Sequence, residues 1–134
     1  METKNENAKL IESLYAAFGR GDMRFILDHF AADIELNGPD APELPYRGAY
    51  HGREGAQQYF ERLLGALEIT AFEPKNYVAS GDDVMTTGLQ SGKTRATGKS
   101  FRTPWAMHFV VKNGQVAYAR VYEDSGVTAA ALRA

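Results

Sequence analysis

Apolar positions recur at a helical period through the first half of the chain and at a period of two through the second. Leu10, Ile11, Leu14, Tyr15 and Phe18 fall on one stripe, which predicts an amphipathic helix ended by Gly19 and Gly21. Asp22 is a suitable cap for a second, short helix carrying Met23, Ile26, Leu27 and Phe30 at i, i+3, i+4 and i+7. Ile34, Glu35 and Leu36 read as a brief strand entering a turn at Asn37-Gly38-Pro39. Residues 38–50 hold three of the five prolines and are expected to form a non-helical loop. A third helix is predicted from Gly52, with Ala56, Phe60, Leu63, Leu64 and Leu67 on one face.

Beyond it the pattern predicts strand after strand, over residues 68–79, 83–91, 94–111 and 115–123. Turn chemistry separates them at Ser80-Gly81-Asp82-Asp83, at Ser91-Gly92-Lys93 and at Asn113-Gly114, the last a strong hairpin signal. Gly98 inside the long third strand implies a bulge or bend. Val127 to Leu132 fit a final helical turn capped by Asp124 or Ser125.

Helices first and antiparallel strands afterwards indicate an α+β class. A strongly bent antiparallel sheet packed on three helices makes a cone-shaped barrel, and a cone of this size keeps a hollow lined by the inner faces of both layers. Parity assigns those faces. Phe101, Thr103, Trp105, Met107, Phe109 and Val111 share one large, apolar side, which should face inward. In the last strand Ala117, Ala119, Val121 and Glu123 are expected inward, and Val116, Tyr118, Arg120, Tyr122 and Asp124 outward. The outward set suits a sheet-to-sheet homodimer contact, where Tyr and Arg are favoured.

Length and charge narrow the class. The 134 residues fit one domain spanning 1–134, and 15 Lys+Arg against 17 Asp+Glu give a net charge of −2. No basic stripe could neutralise a run of phosphates, so nucleic acid is not an expected partner. The absence of cysteine excludes thiolate nucleophiles and suits a reducing compartment. No apolar run approaches the ~18 residues of a spanning helix, and the polar opening Met1-Glu2-Thr3-Lys4-Asn5-Glu6-Asn7 lacks the apolar core of a signal peptide. A soluble, cytoplasmic protein without membrane association is expected.

Glu123 stands out because it ends an otherwise apolar inward row. Desolvation there would raise its pKa and suit it to acid–base work, while a structural carboxylate satisfied at a strand end is the plainer reading. His29, His51 and His108 are too scattered for a metal site, so no metal and no cofactor are expected. No Gly-x-Ser-x-Gly elbow or phosphate-cradling glycine loop occurs. Trp105, the only tryptophan, is core by default, but its indole N–H needs a partner when buried, and a ligand carbonyl is one such partner. Leu14, Phe18, Tyr59, Phe60, Met107 and Val121 are core by type and pocket lining by location. Tyr46 and Tyr50 flank an aromatic loop that fits either a lid in contact with ligand or a packed Ω-loop.

These elements, in order, resemble a known family. The pattern is a leading helix ending in Gly19-Arg20-Gly21-Asp22, then Phe30-Ala31-Ala32-Asp33, and Tyr50-His51-Gly52 before a helix. Thr97-Gly98-Lys99, Trp105-Ala106-Met107-His108-Phe109, Asn113-Gly114-Gln115-Val116 and Tyr122-Glu123-Asp124-Ser125 follow. Over nearly the whole chain this resembles the SnoaL-like, ketosteroid-isomerase-like branch of the nuclear transport factor 2-like superfamily. The resemblance implies a cone-shaped α+β barrel, a pocket between sheet and helices, and homodimers through the outer sheet face. It does not carry over the steroid isomerase machinery. That machinery's oxyanion tyrosine falls at Leu14, its general-base aspartate at Gly38 and its protonated aspartate at Trp105. Nor does Arg102-Thr103-Pro104 supply the Arg-x-Asp pair of an epoxide hydrolase of this fold. Polyketide cyclases of the family use an aspartate near the end of the last strand, and here parity favours Glu123 whereas the motif favours Asp124.

The expectation is therefore a small-molecule-binding protein whose ligand is flat, mostly apolar and bears a carbonyl or hydroxyl. Its chemistry, if catalytic, is cofactor-free isomerisation, cyclisation or dehydration beside a carbonyl. The alternative is a non-catalytic ligand-binding or dimerisation module of the same fold. A cavity with a carboxyl aimed into it separates the two.

Overall fold

The computed structural model describes residues 5–133; Met1 to Lys4, within the polar opening segment, lie outside them. The Asn5 side chain accepts from the N–H groups of Asn7 and Ala8 and so opens α1 (Glu6–Gly19), which buries Ile11, Leu14 and Tyr15 as its stripe predicts. Gly21 turns the chain at φ +73°, and Asp22 caps α2 (Met23–Asp28) by accepting from the Phe25 N–H at 3.1 Å. Phe30 does not continue that helix. It begins β1 (Phe30–Asn37), whose buried side chains are Phe30, Ile34 and Leu36.

The proline-containing loop is not wholly irregular. It ends in β2 (Ala49–His51), a three-residue strand antiparallel to β1 that leads into α3 (Gly52–Ala66). Four long strands follow: β3 (Leu67–Ser80), β4 (Asp83–Thr94), β5 (Ser100–Lys112) and β6 (Gln115–Glu123), and then α4 (Ser125–Leu132). The Asn113-Gly114 hairpin forms as predicted, both residues taking positive φ.

The class is α+β, with one six-stranded sheet in the order β2-β1-β6-β5-β4-β3 curled against the helices. Two features differ from the predicted barrel. The sheet is open, with β2 and β3 as edges, and it is mixed, because β1 lies parallel to β6. The crossover from the first strand to the last leaves no hairpin signal between them, so the seam is invisible to turn chemistry.

Glycine accounts for a third difference. Gly92 does not turn the chain; it sits mid-strand opposite Ile69 and Phe101, and a Cβ on it would meet the Glu68 carbonyl oxygen at 2.1 Å. The strand therefore runs on to Thr94, and the turn comes later, where Gly98 takes φ +72°. In β6 the pairing slips between Val110 and Val111, so Phe109 faces Ala119 but Val111 faces Val116. This bulge puts Val116 inside and displaces Ala117 from the inward row, reversing the parity expected for that end. Val121 and Glu123, beyond the slip, keep the inward direction.

α4 closes one end of the fold. The Thr97 hydroxyl donates to the Ala131 carbonyl at 2.6 Å, and Arg133 forks onto Glu43 at 2.8 and 2.6 Å. Among the described residues no helix is long and apolar enough to cross a membrane.

Candidate active site

The concave face of the sheet and the inner faces of α1, α2 and α3 enclose a cavity of about 80 Å³, room for a few water-sized groups. Its wall is almost wholly apolar. Leu14 and Phe18 come from α1, Tyr59 and Phe60 from α3, and Trp105, Met107 and Val121 from the sheet, all as the inward rows predict. Tyr46 reaches in from the loop before β2, and Glu123 closes the row at the end of β6.

Among the described residues, Glu123 is the one carboxyl in this wall. Its Oε1 accepts from the Tyr46 hydroxyl at 3.1 Å and its Oε2 from the Gln90 amide at 3.3 Å. Among the described residues it makes no ion pair. Burial penalises its charged form and raises its pKa above the ordinary 4.5; the Tyr46 hydrogen bond offsets part of this, and the neighbouring Asp124 charge adds to it. The same burial keeps the surrounding phenols neutral. Tyr46 and Tyr59 are held well above the usual tyrosine range, first by desolvation and then by the Glu123 charge. Tyr15 is likewise raised by burial, and its hydroxyl lies 2.6 Å from that of Thr86.

Trp105 sits opposite Glu123 in the β5–β6 register. Its indole stacks on Phe72 with centroids 4.9 Å apart and planes 6° from parallel. The Nε1–H is fully buried and has no hydrogen-bond partner, the only side-chain N–H among the described residues in that state. An orphaned buried donor is costly, and a ligand oxygen would relieve it. The arrangement thus offers a neutral donor and a proton-accepting carboxyl on adjacent strands of one apolar wall.

Other candidates fall elsewhere. Asp124 is exposed, outside the cavity, and precedes α4 without capping it through its side chain. Tyr50 is buried but does not line the cavity: its hydroxyl donates to the Arg47 carbonyl at 2.9 Å and accepts from Arg62 at 3.3 Å, so it packs the loop on itself. His29 bonds the Phe25 carbonyl, His108 pairs with Asp83 on the outer sheet face at 2.8 Å, and His51 is exposed away from the cavity. No cluster among the described residues has three metal-ligating side chains. Gln90 was not singled out from sequence, although alternation from Val84 through Thr86 places it inward.

The matched family model is that of the SnoaL-like domain, and it spans residues 11–119. The chain belongs to the SnoaL-like domain family. Solved structures share its architecture over almost its full length. A nuclear transport factor 2-like protein from Burkholderia xenovorans is 28% identical, with 98% of each chain covered and a TM-score of 0.86. One from Burkholderia pseudomallei, of unknown function, is 19% identical at a TM-score of 0.89, covering 98% of this chain and 100% of its own. TerC, crystallised with polyporic acid, is 18% identical at a TM-score of 0.86, covering 97% of this chain and 100% of its own. A search of curated proteins finds no match.

This SnoaL-like chain departs physically from the steroid isomerase arrangement. At Gly38, where the base of that machinery falls, a Cβ would lie 2.3 Å from the Tyr46 carbonyl oxygen. The loop backbone fills the space that a carboxyl needs there. The same loop brings the Tyr46 phenol to Glu123, so the acidic group of this SnoaL-like cavity stands on the neighbouring strand, at the end of β6, which runs parallel to β1.

Proposed function

We propose that this protein binds a small, flat, mostly apolar ligand bearing a carbonyl or hydroxyl, and moves a proton beside that oxygen without a cofactor. Glu123, ionised, takes a proton from the carbon next to the carbonyl; the C–H electron pair forms a C=C bond and the carbonyl pair moves to oxygen. The developing oxyanion is met by the Trp105 Nε1–H, with the neutral Tyr59 phenol on the same wall. The Glu123 carboxyl then delivers the proton to another carbon of the enolate for isomerisation, or to a β-hydroxyl whose C–O bond breaks as the C=O re-forms and water leaves for dehydration. Where the enolate carbon has attacked a second carbonyl of the ligand, the proton goes to the alkoxide formed from that C=O, which completes cyclisation. Tyr46 and Gln90 orient the carboxyl throughout.

The observation that carries this reading is a mostly buried carboxyl without a countercharge, opposite an unpaired donor in an aromatic cavity. A non-catalytic module has no need of a buried carboxyl without a countercharge, or of a donor left unpaired by its own chain. Deuterium exchange into the α-position of small aromatic ketones in D₂O, followed by NMR, tests it. Exchange above the buffer rate, lost in Glu123→Gln and kept in Asp124→Asn, is expected. Exchange no faster than buffer, or unaffected by Glu123→Gln, overturns it.

A second copy of the chain is proposed as the partner of the outer sheet face. The large apolar side chains most exposed among the described residues are Val78, Met85 and Tyr122. Val78, Met85, His108 and Arg120 lie in register as one row across this face. Light scattering on a sizing column should give a dimer, shifted towards monomer by Met85→Lys; a monomer at micromolar concentration contradicts it.

A further inference from the structure

We propose that Gly88 is a positioning residue that sets the ligand's oxygen contact, by leaving the space in which the Trp105 indole lies. The inference rests on Trp105 being the oxygen-binding donor of the cavity.

Gly88 occupies an inward position of β4 between Thr86 and Gln90, with Trp105 directly across in β5. Its backbone is not in the left-handed region, so conformational freedom is not what the position requires. Space is. A Cβ built there would stand 2.4 Å from Cζ2 and 2.8 Å from Cε2 of Trp105, and 2.5 Å from the Glu73 carbonyl oxygen. The indole therefore lies over the bare β4 backbone, with its ring also stacked on Phe72 from β3. Cε2 is the atom bonded to Nε1, so anything that displaces it moves the unpaired N–H. A single methyl group at residue 88 must push the indole off the strand and carry the donor away from its place opposite Glu123. The residue that selects for a ligand oxygen at this point is thus one that has no side chain and touches no ligand.

Acetophenone and ethylbenzene are the probes, since they share a flat ring and differ by the carbonyl oxygen. An oxygen meeting an otherwise unpaired buried donor should favour the ketone about tenfold. Calorimetric titration of the wild type should show that preference. Trp105→Phe should bring it to about one, and Gly88→Ala should do the same while ethylbenzene affinity stays within about twofold. Trp105 is the sole tryptophan, so its emission reports the displacement, and a shifted maximum in Gly88→Ala is expected. If Gly88→Ala fails to fold, the Gly88→Ala/Trp105→Phe pair decides. Recovery of a folded protein supports the indole as the neighbour that matters. Failure to fold, with Trp105→Phe itself folded, assigns the glycine to the Glu73 carbonyl alone and overturns the proposal. So does a wild type that binds both probes equally, or a Gly88→Ala protein with unchanged emission and ketone preference. Proton exchange by Glu123 is read separately, so a wild type that exchanges protons but shows no ketone preference refutes this inference and not the proton-transfer reading.

Discussion

Replacing Glu123 by Gln should stabilise the protein at neutral pH while removing its proton chemistry. The folded chain holds the carboxyl largely out of water with no opposing cation, and its pKa lies above 4.5 chiefly for that reason. The unfolded chain imposes no such burial. Between the unfolded and folded values the folded state binds the extra proton, so stability falls as pH rises through that window and stays lower above it. Below 4.5 both states carry the proton and the contribution vanishes. One linked proton gives a slope of at most about 1.4 kcal/mol per pH unit. Gln preserves the shape: its amide oxygen can accept from Tyr46, and its NH₂ can face the Gln90 carbonyl oxygen once that amide turns over. Urea unfolding of both proteins from about pH 4 to about pH 8 isolates the effect, because every other titrating group cancels in the difference. The two stabilities should converge at the acid end and separate above it in favour of Glu123→Gln. Parallel curves across the range refute the reasoning.

Three further outcomes follow from the same geometry. Tyr46→Phe removes the donor to Oε1, should cost about 1–3 kcal/mol in urea unfolding, and should move the acid limb of the activity profile to higher pH, because the hydrogen bond that lowers the Glu123 pKa is gone. Tyr15→Phe leaves Thr86, only 1% exposed, without its 2.6 Å partner; a loss of about 1–3 kcal/mol is expected with the pH profile unmoved. Asp124→Asn should change stability by no more than about 0.5 kcal/mol, keep the exchange rate and move the acid limb slightly to lower pH, since one repelling charge is lost. A tenfold loss of exchange in that variant would transfer the acid–base role to Asp124.

Much of the site was legible because alternation is a strong signal where one face is buried. The row from Phe101 to Val111 alternates without a break, and the structure places it inward along its length. Glu123 was readable for the same reason, as the one charge in an apolar row. What stayed hidden depends on long-range geometry. The bulge in β6 inverts Val116 and Ala117 through a pairing slip that local residue types do not mark. Gly92 has turn chemistry but serves a close approach to Glu68, which only the facing strand reveals. Tyr46 and Tyr50 look alike in sequence, yet one reaches Glu123 across 77 positions and the other closes on Arg47, three residues away. The parallel seam between β1 and β6 joins segments about eighty residues apart, with no connecting turn to predict it.

The central claim is that a carboxyl in the cavity wall is held ready to take up a proton by burial without a countercharge. Carbon-13 NMR of the Glu123 side-chain carboxyl, assigned by its absence from Glu123→Gln, measures this directly as a titration curve. The account predicts a midpoint above 4.5, moving further up in Tyr46→Phe. A midpoint at or below the ordinary carboxylate value, unchanged by loss of the Tyr46 hydroxyl, would contradict it.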